Sequence, residues 1–278
     1  MNTRDTANGR RPKIDTDVMR PARRYNYWLG GKDNFAADRT SGDAVAEAFP
    51  GVRIAARQNR EFLRRAVRRL ANAGITQFLD IGPGLPAPGN THEVAQAINP
   101  DATVVYVDND PMVMTHARAL LTGSTRGRVG HLDADLRDAA SIIEHPALRD
   151  VLDFSQPVAV LCVAVLHFLT DADDPDTILR TLLHPLAPGS QLVLSHASGD
   201  PLDEITVARI QAATAAEPFT LRSHARIERL FAGLHLEPPG VVVVSDWDPD
   251  PGAERFTADQ VAVYAGVARK PAHEVGTP

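Results

Sequence analysis

The chain has 278 residues, 44% of them hydrophobic and 23% charged, with a formal net charge of −6. That length suits one α/β domain with elaborations and a core that needs no covalent staples. A single cysteine, Cys162, excludes an intrachain disulfide and agrees with a reducing cytoplasm. The first 17 residues lack the apolar core of a signal peptide, and no apolar run approaches the roughly 18 residues a bilayer span needs. A cytoplasmic protein with no membrane partner is expected.

Residues 1–17 read as a disordered tail, being polar and aperiodic. From Pro21 to Phe35, Tyr25, Tyr27, Trp28, Leu29 and Phe35 gather around Gly30-Gly31, which predicts a helix, a turn and a further segment. Over Val52–Ala73 the apolar residues Phe62, Leu63, Ala66, Val67 and Leu70 recur at helical spacing, and Gly74 is a natural stop. Arginines fill the rest of that helix. Residues 1–69 carry 16 Lys/Arg against 8 Asp/Glu, and the remainder 13 against 27. The basic part reads as a solvated helix face; a nucleic-acid partner is not expected, because the acidic body would repel a polyanion.

The chain then alternates. Strands are predicted at Gln77–Ile81, Thr103–Val107, Arg128–Leu132, Pro157–Val163 and Gln191–Ser195. Helices are predicted at Thr91–Ile98 (with Thr91 as N-cap), Pro111–Leu121, Ala139–Glu144 and Thr177–Leu183. This alternation implies right-handed crossovers and a mostly parallel sheet. Helices at Leu202–Ala216 and His224–Phe231 follow, then Val241–Val244 and Val261–Ala268 as an antiparallel pair.

Four motifs carry chemistry. In Asp80-Ile-Gly82-Pro-Gly84-Leu-Pro86 the glycines turn the chain tightly after a strand, and a ligand can approach the main chain there. Gly82-x-Gly84-x-x-Ala87 also fits a relaxed dinucleotide fingerprint. However, Pro83, Pro86 and Pro88 lack the N–H groups that hold a pyrophosphate. A ligand without phosphate, S-adenosylmethionine (SAM), tolerates such a loop. Asp108 ends the next strand, 24 residues after Gly84, where a carboxylate can accept both hydroxyls of a ribose. Asn109 is grouped with it, and Asp110 reads as an N-cap before Pro111. After the third strand, Asp135, with Asp133 as the alternative, can accept an adenine amino group while the next N–H, that of Leu136, reaches a ring nitrogen. Just past the fourth, His167 stands where a general base would meet a methyl acceptor, with a structural histidine as the plainer alternative. His92 is a further candidate near the methionine part of SAM. No spacing points to a metal site.

The sequence resembles the actinobacterial S-adenosyl methyltransferases first catalogued as a domain of unknown function. The resemblance runs from about residue 18 and rests on Pro21–Arg39, Phe78–Pro86, Asn90–Gln96, Tyr106–Pro111, Asp133–Asp138, Ala164–Phe168 and Tyr264–Lys270. It implies a class I methyltransferase fold, α/β and Rossmann-like, with seven strands, the last antiparallel, and helices on both faces. It carries SAM binding onto Asp80, Gly82, Gly84, Asp108 and Asp135. Pro86 stands where many methyltransferases have a third glycine, and Asn26 where the family often has aspartate.

The expected organisation is a helical lid and basic helix over 18–73, a SAM-binding domain over 74–270 and a tail over 271–278. A lid would bring Tyr27, Lys32, Asp33 and Asn34 to substrate or methionine, and Arg60 to the methionine carboxylate; the alternative is a helix hairpin that completes the core. The expected activity is SAM-dependent methyl transfer to a small molecule. The alternatives are a SAM-binding regulator without transfer and an NAD-dependent oxidoreductase.

Overall fold

A computed structural model describes residues 14–272. Most of the first expected tail, 1–13, and 273–278 of the second lie outside the described residues. Helices α1 (Pro21–Trp28), α2 (Ala36–Ala48) and α3 (Val52–Asn72) precede β1 (Gln77–Ile81). Then come α4 (Thr91–Ile98), β2 (Thr103–Asp108), α5 (Pro111–Leu120), β3 (Arg128–Asp133), α6 (Ala139–Glu144), α7 (Pro146–Arg149), β4 (Ala159–Val163), α8 (Pro175–Leu183) and β5 (Gln191–Ala197). The chain ends through α9 (Glu204–Ala213), α10 (His224–Arg229), β6 (His235–Leu236), β7 (Val242–Val243), α11 (Ala258–Val261) and β8 (Val263–Arg269).

The strands line up as β3-β2-β1-β4-β5-β8-β6, with β7 also paired to β8. β1 to β5 are parallel, and β8 runs antiparallel to β5. Eight strands stand where seven were expected. The extra piece is β6; it pairs with β8, as the expected β7 does, and Pro238-Pro239 separates the two, their missing N–H groups being unable to continue a ladder.

Alternation along β1 divides the core. Phe78 joins Phe62, Ala66 and Val67 of α3 on one face, while Leu79 and Ile81 join Ile142, Leu148 and Leu182 on the other. With both faces covered, β1 reads as a continuous buried run. α3 therefore packs into the same core as the sheet. It stops at Gly74 (φ +93°), and the Ile75 N–H closes back on the Leu70 carbonyl at 3.0 Å. Its outward arginines meet carboxylates: Arg53 pairs with Asp43, Arg64 with Glu61 and Arg68 with Asp250.

The order reversal between β1 and β4 opens a crevice at the carboxyl ends of the strands. α1, α2 and the start of α3 lie over it. α1 is fixed by buried charge: Arg23 pairs with Asp38 at 3.6 Å and donates to the Asp15 and Val18 carbonyls. Asp38 also accepts from the Arg20 and Phe35 N–H groups. The helix α2 has no clear apolar period; Gly42 lets it approach Tyr27, and the Trp28 indole donates to the Gly42 carbonyl.

Candidate active site

A cavity of about 540 Å³ fills the crevice. Its floor is the carboxyl ends of β1, β2, β3, β4 and β5, and its cover comes from α1, α2, α3 and α9.

On the floor, β1 delivers Asp80 and the glycine turn. The Asp80 carboxylate is buried and accepts from the Thr91 hydroxyl at 2.6 Å. Burial pushes its pKa up to about 6, against the downward pull of Thr91 and Arg60. Thr91 thus ties α4 to β1, and the N-cap of α4 is Asn90 rather than Thr91. Gly82 and Gly84 have φ of +66° and +69°, which L side chains rarely adopt. A Cβ on Gly82 would strike Val165 at 2.6 Å, whereas the same position on Gly84 has nothing within 4 Å. Gly82 serves packing; Gly84 leaves open space.

β2 delivers Asp108. One carboxylate oxygen accepts from the Asp110 N–H at 2.9 Å, and the other only a long 3.4 Å bond from the Gly84 N–H. Burial also lifts Asp108 to about 6. Asp110 caps α5 through the Met112 N–H. Past β3, Asp135 accepts from the Asn109 amide at 2.9 Å and the Arg137 N–H at 2.9 Å. Burial works against its charge, but these bonds and the Arg137 guanidinium outweigh it and hold the pKa down. Leu136 is buried beside it.

The helix start after the glycine loop is already satisfied. Glu93 accepts from the Gly89 N–H at 2.8 Å and the Asn90 N–H at 3.1 Å, and the His92 N–H donates to the Tyr106 hydroxyl. A pyrophosphate would meet the Glu93 carboxylate there.

From β4, Ala164 sits at the cavity with φ +56°, a strained conformation for a side chain with Cβ. The Ser195 hydroxyl accepts from its N–H at 2.9 Å and donates to Asn59 at 2.6 Å. Asn59 donates to the Tyr25 hydroxyl at 2.9 Å, which donates to the Ala56 carbonyl. One chain of hydrogen bonds thereby links sheet, α3 and α1.

A profile of the S-adenosyl methyltransferases matches residues 7–271. The chain belongs to this family. Its activity is thereby SAM-dependent methyl transfer. Among solved structures, it is similar to a DUF574 family protein from Streptomyces avermitilis MA-4680, with 44% identity over 93% of this chain and 100% of that one, and a TM-score of 0.90. A protein from Thermobifida fusca YX is 41% identical over 93% of this chain and 97% of that one, with a TM-score of 0.85. The plantazolicin methyltransferase BamL, solved with S-adenosylhomocysteine (SAH) and a triazolic desmethylPZN analog, shares the fold at 12% identity, over 90% of this chain and 95% of that one, with a TM-score of 0.51. No curated protein matches the sequence.

Of the residues the sequence singles out in this family member, the fold brings Asp80, Gly82, Gly84, Asp108, Asn109, Asp135, Leu136, His167 and Arg60 to the cavity. Five others do not line it. His92 lies beneath the loop, its Nδ1 2.8 Å from the Tyr106 hydroxyl. The Tyr27 hydroxyl donates to Asp43 at 2.7 Å, with Arg53 over its ring. Lys32 and Asp33 are exposed, and Asn34 braces the turn by donating to Asn26 and the Gly31 carbonyl. Where the family often has aspartate, Asn26 thus uses its amide oxygen to hold the Gly31–Asn34 turn.

His167 is buried against the cavity wall. Burial, then His196, Arg24 and Arg222, drive its pKa well below that of an ordinary imidazole. Two residues escaped the sequence reading: Arg24 of α1 and Glu217 in the turn after α9, which meet as a buried ion pair on the cavity wall. Nothing local in the sequence marks them, since they are 193 positions apart.

Among the described residues, no helix is long and apolar enough to cross a membrane, and no group of three or more His, Cys, Asp or Glu is placed to hold a metal ion.

Proposed function

We propose that SAM binds along the ends of β1, β2 and β3 and that its methyl group passes to a small molecule enclosed beneath α1, α2 and α3. The observation that carries this reading is the continuous cavity at the strand ends. It joins Gly84 and Asp108 to an apolar space under the helices, and its volume of about 540 Å³ suits small-molecule ligands.

The residues present fit the cofactor. Asp108 has one carboxylate oxygen with only a long bond, free for a diol. Gly84 is an open cradle. Arg60 Nε and Nη2 are buried without partners, matching a missing carboxylate. In this reading Asp108 holds the ribose hydroxyls, the Leu136 N–H and Asp135 hold adenine, and Arg60 and Asp80 orient the amino-acid end. Bound SAM supplies a methyl group made electrophilic by its sulfonium. The chain's part is to align acceptor and methyl and to keep water out, which supplies much of the rate. A nucleic-acid acceptor is disfavoured because the outward arginines Arg53, Arg64 and Arg68 of α3 are already matched by carboxylates.

Calorimetry with SAM, SAH and NAD tests the reading. Both sulfur ligands should bind and NAD should not. Absence of binding by SAM and SAH at millimolar concentration would sink it.

A further inference from the structure

Beyond the strand ends the cavity wall is apolar, interrupted by a cluster of buried polar side chains. Arg24 is 1% exposed, and Glu217 keeps 8% of its side chain exposed. Arg24 Nε, Glu217 Oε2 and His167 Nδ1 are buried with no hydrogen-bond partner. The Arg24 guanidinium meets Glu217 Oε1 as ion pair and hydrogen-bond donor, which leaves Oε2 without a donor. Buried carboxylates ordinarily collect hydrogen bonds on both oxygens. A buried ion pair also adds little stability over apolar packing of the same volume. Stability therefore does not account for the pair, whereas a donor arriving on a ligand would.

The cluster is one wall. The segment after Glu217 runs against the end of β4: the Thr220 N–H donates to the His167 carbonyl at 2.8 Å, and the Phe219 ring lies 4.9 Å from the imidazole. Phe168 closes the other side at 4.4 Å, and Arg24 stacks over Trp28 at 5.1 Å. The rings of Trp28, Phe168 and Phe219 all line the cavity.

The polar groups differ as proton acceptors. An imidazolium at His167 would be a buried cation near Arg24 and Arg222, which is why its pKa is held low. Glu217 moves the other way: burial raises it, against the pull of Arg24. A proton gained by Glu217 removes a buried charge instead of creating one.

We infer that the acceptor is a flat, mostly apolar molecule whose nucleophile is an O–H or N–H group, and that this group donates its hydrogen bond to Glu217, held in place by Arg24. This rests on the methyl-transfer reading above. In the transfer step, a lone pair on the acceptor oxygen or nitrogen forms the bond to the methyl carbon. The carbon–sulfur bond breaks with its electrons going to sulfur, which becomes neutral. The acceptor proton passes to the Glu217 carboxylate, so one positive and one negative charge vanish together. His167 stays neutral, and its Nδ1 is a second acceptor for the other N–H of an amine or for a further donor on the ring system.

The test is calorimetry on the SAH-loaded protein with 2-naphthol, 2-naphthylamine and 2-methoxynaphthalene. The naphthol and the amine should bind about 10- to 100-fold more tightly than the ether, the effect of a hydrogen bond to a charged acceptor. In Glu217→Gln that preference should fall below about tenfold. In the double variant Arg24→Met/Glu217→Leu, which removes both charges at once, it should disappear. SAH affinity should stay within about threefold in both variants, because neither side chain belongs to the cofactor end. Equal binding of naphthol and ether, a preference that survives both variants, or no binding of any of the three would overturn the inference. Failure of SAH itself to bind the unmodified protein would instead count against the earlier reading.

Discussion

Replacing Asp108 with Asn should move stability and ligand affinity in opposite directions. The carboxyl sits at about 6 in the folded protein, against an ordinary 3.8. A folded-state pKa raised in this way means that folding favours the protonated form. The favourable contribution is complete below about 3.8 and is lost as the pH climbs through about 6. At pH 7.5 the ionised side chain therefore costs on the order of 1–3 kcal/mol, the lower end allowing for its opening onto the cavity. Asp108→Asn removes that cost and keeps an oxygen for the Asp110 N–H, so Tm in the absence of ligand should rise by a few degrees. SAM affinity should fall. A charged acceptor for two hydroxyls becomes one neutral oxygen and an amide donor, a loss of about 2–4 kcal/mol, or roughly 30- to 1,000-fold. The pH dependence separates this from a general defect. Hydroxyl donors favour the ionised carboxylate, so SAM affinity of the unmodified protein should weaken as pH drops from 7 to 5. The Asp108 share of that slope should be missing in the variant, leaving the share of Asp80, which also sits at about 6. Calorimetry at three pH values, with thermal unfolding alongside, measures all of this. A lower Tm together with SAM affinity within threefold would refute the ribose role and the account of the buried charge.

Arg60→Met keeps the aliphatic stem and removes a guanidinium whose Nε and Nη2 have no partner. Stability should change by less than about 1 kcal/mol while SAM affinity drops about tenfold, and the reverse pattern would make Arg60 structural. The two loop glycines should separate in the same assays. Gly82→Ala drives a Cβ into Val165 and should cost about 2–4 kcal/mol of stability. Gly84→Ala meets no protein atom, so it should cost about 1–2 kcal/mol from backbone strain alone, and its main effect should be lost SAM affinity. Equal destabilisation by both would remove the distinction.

The parallel sheet was legible because its signals are local. Val104, Val105 and Val107 are β-branched and buried on both faces, and Pro111 and Gly74 mark helix ends by backbone chemistry alone. The carboxylates at strand ends were legible for the same reason, since topology fixes where a residue after a parallel strand must lie. The helix α2 was not, because Ala36–Ala48 carries Thr40, Ser41 and Gly42 in its middle and gains its order by packing against α1 and α9. Tyr27 and Lys32 sit in a motif that looked functional by its density of polar and aromatic residues. They lie on the outer side of the segment whose inner side carries Tyr25 and Trp28 to the cavity. Glu217 and Arg24 depend on a contact between distant segments, and no one-dimensional pattern encodes it.

The hydrogen-bonded chain from Ala164 through Ser195 and Asn59 to Tyr25 has a consequence for how such enzymes diversify. Apart from Arg60, the proposed cofactor end comes from one continuous stretch, Asp80 to Arg137. The acceptor end is assembled from pieces near residues 18–63, 163–169, 197–221 and 261–263. Those pieces also touch the glycine loop, where Ala22 and Phe35 pack on Leu85, and they cannot change one at a time. A transplanted α1 arrives without a match for Glu217, and a transplanted 214–221 turn strands Arg24. Exchanging acceptors between relatives should therefore need both segments moved as a set, with Asn59 left in place as the joint between them.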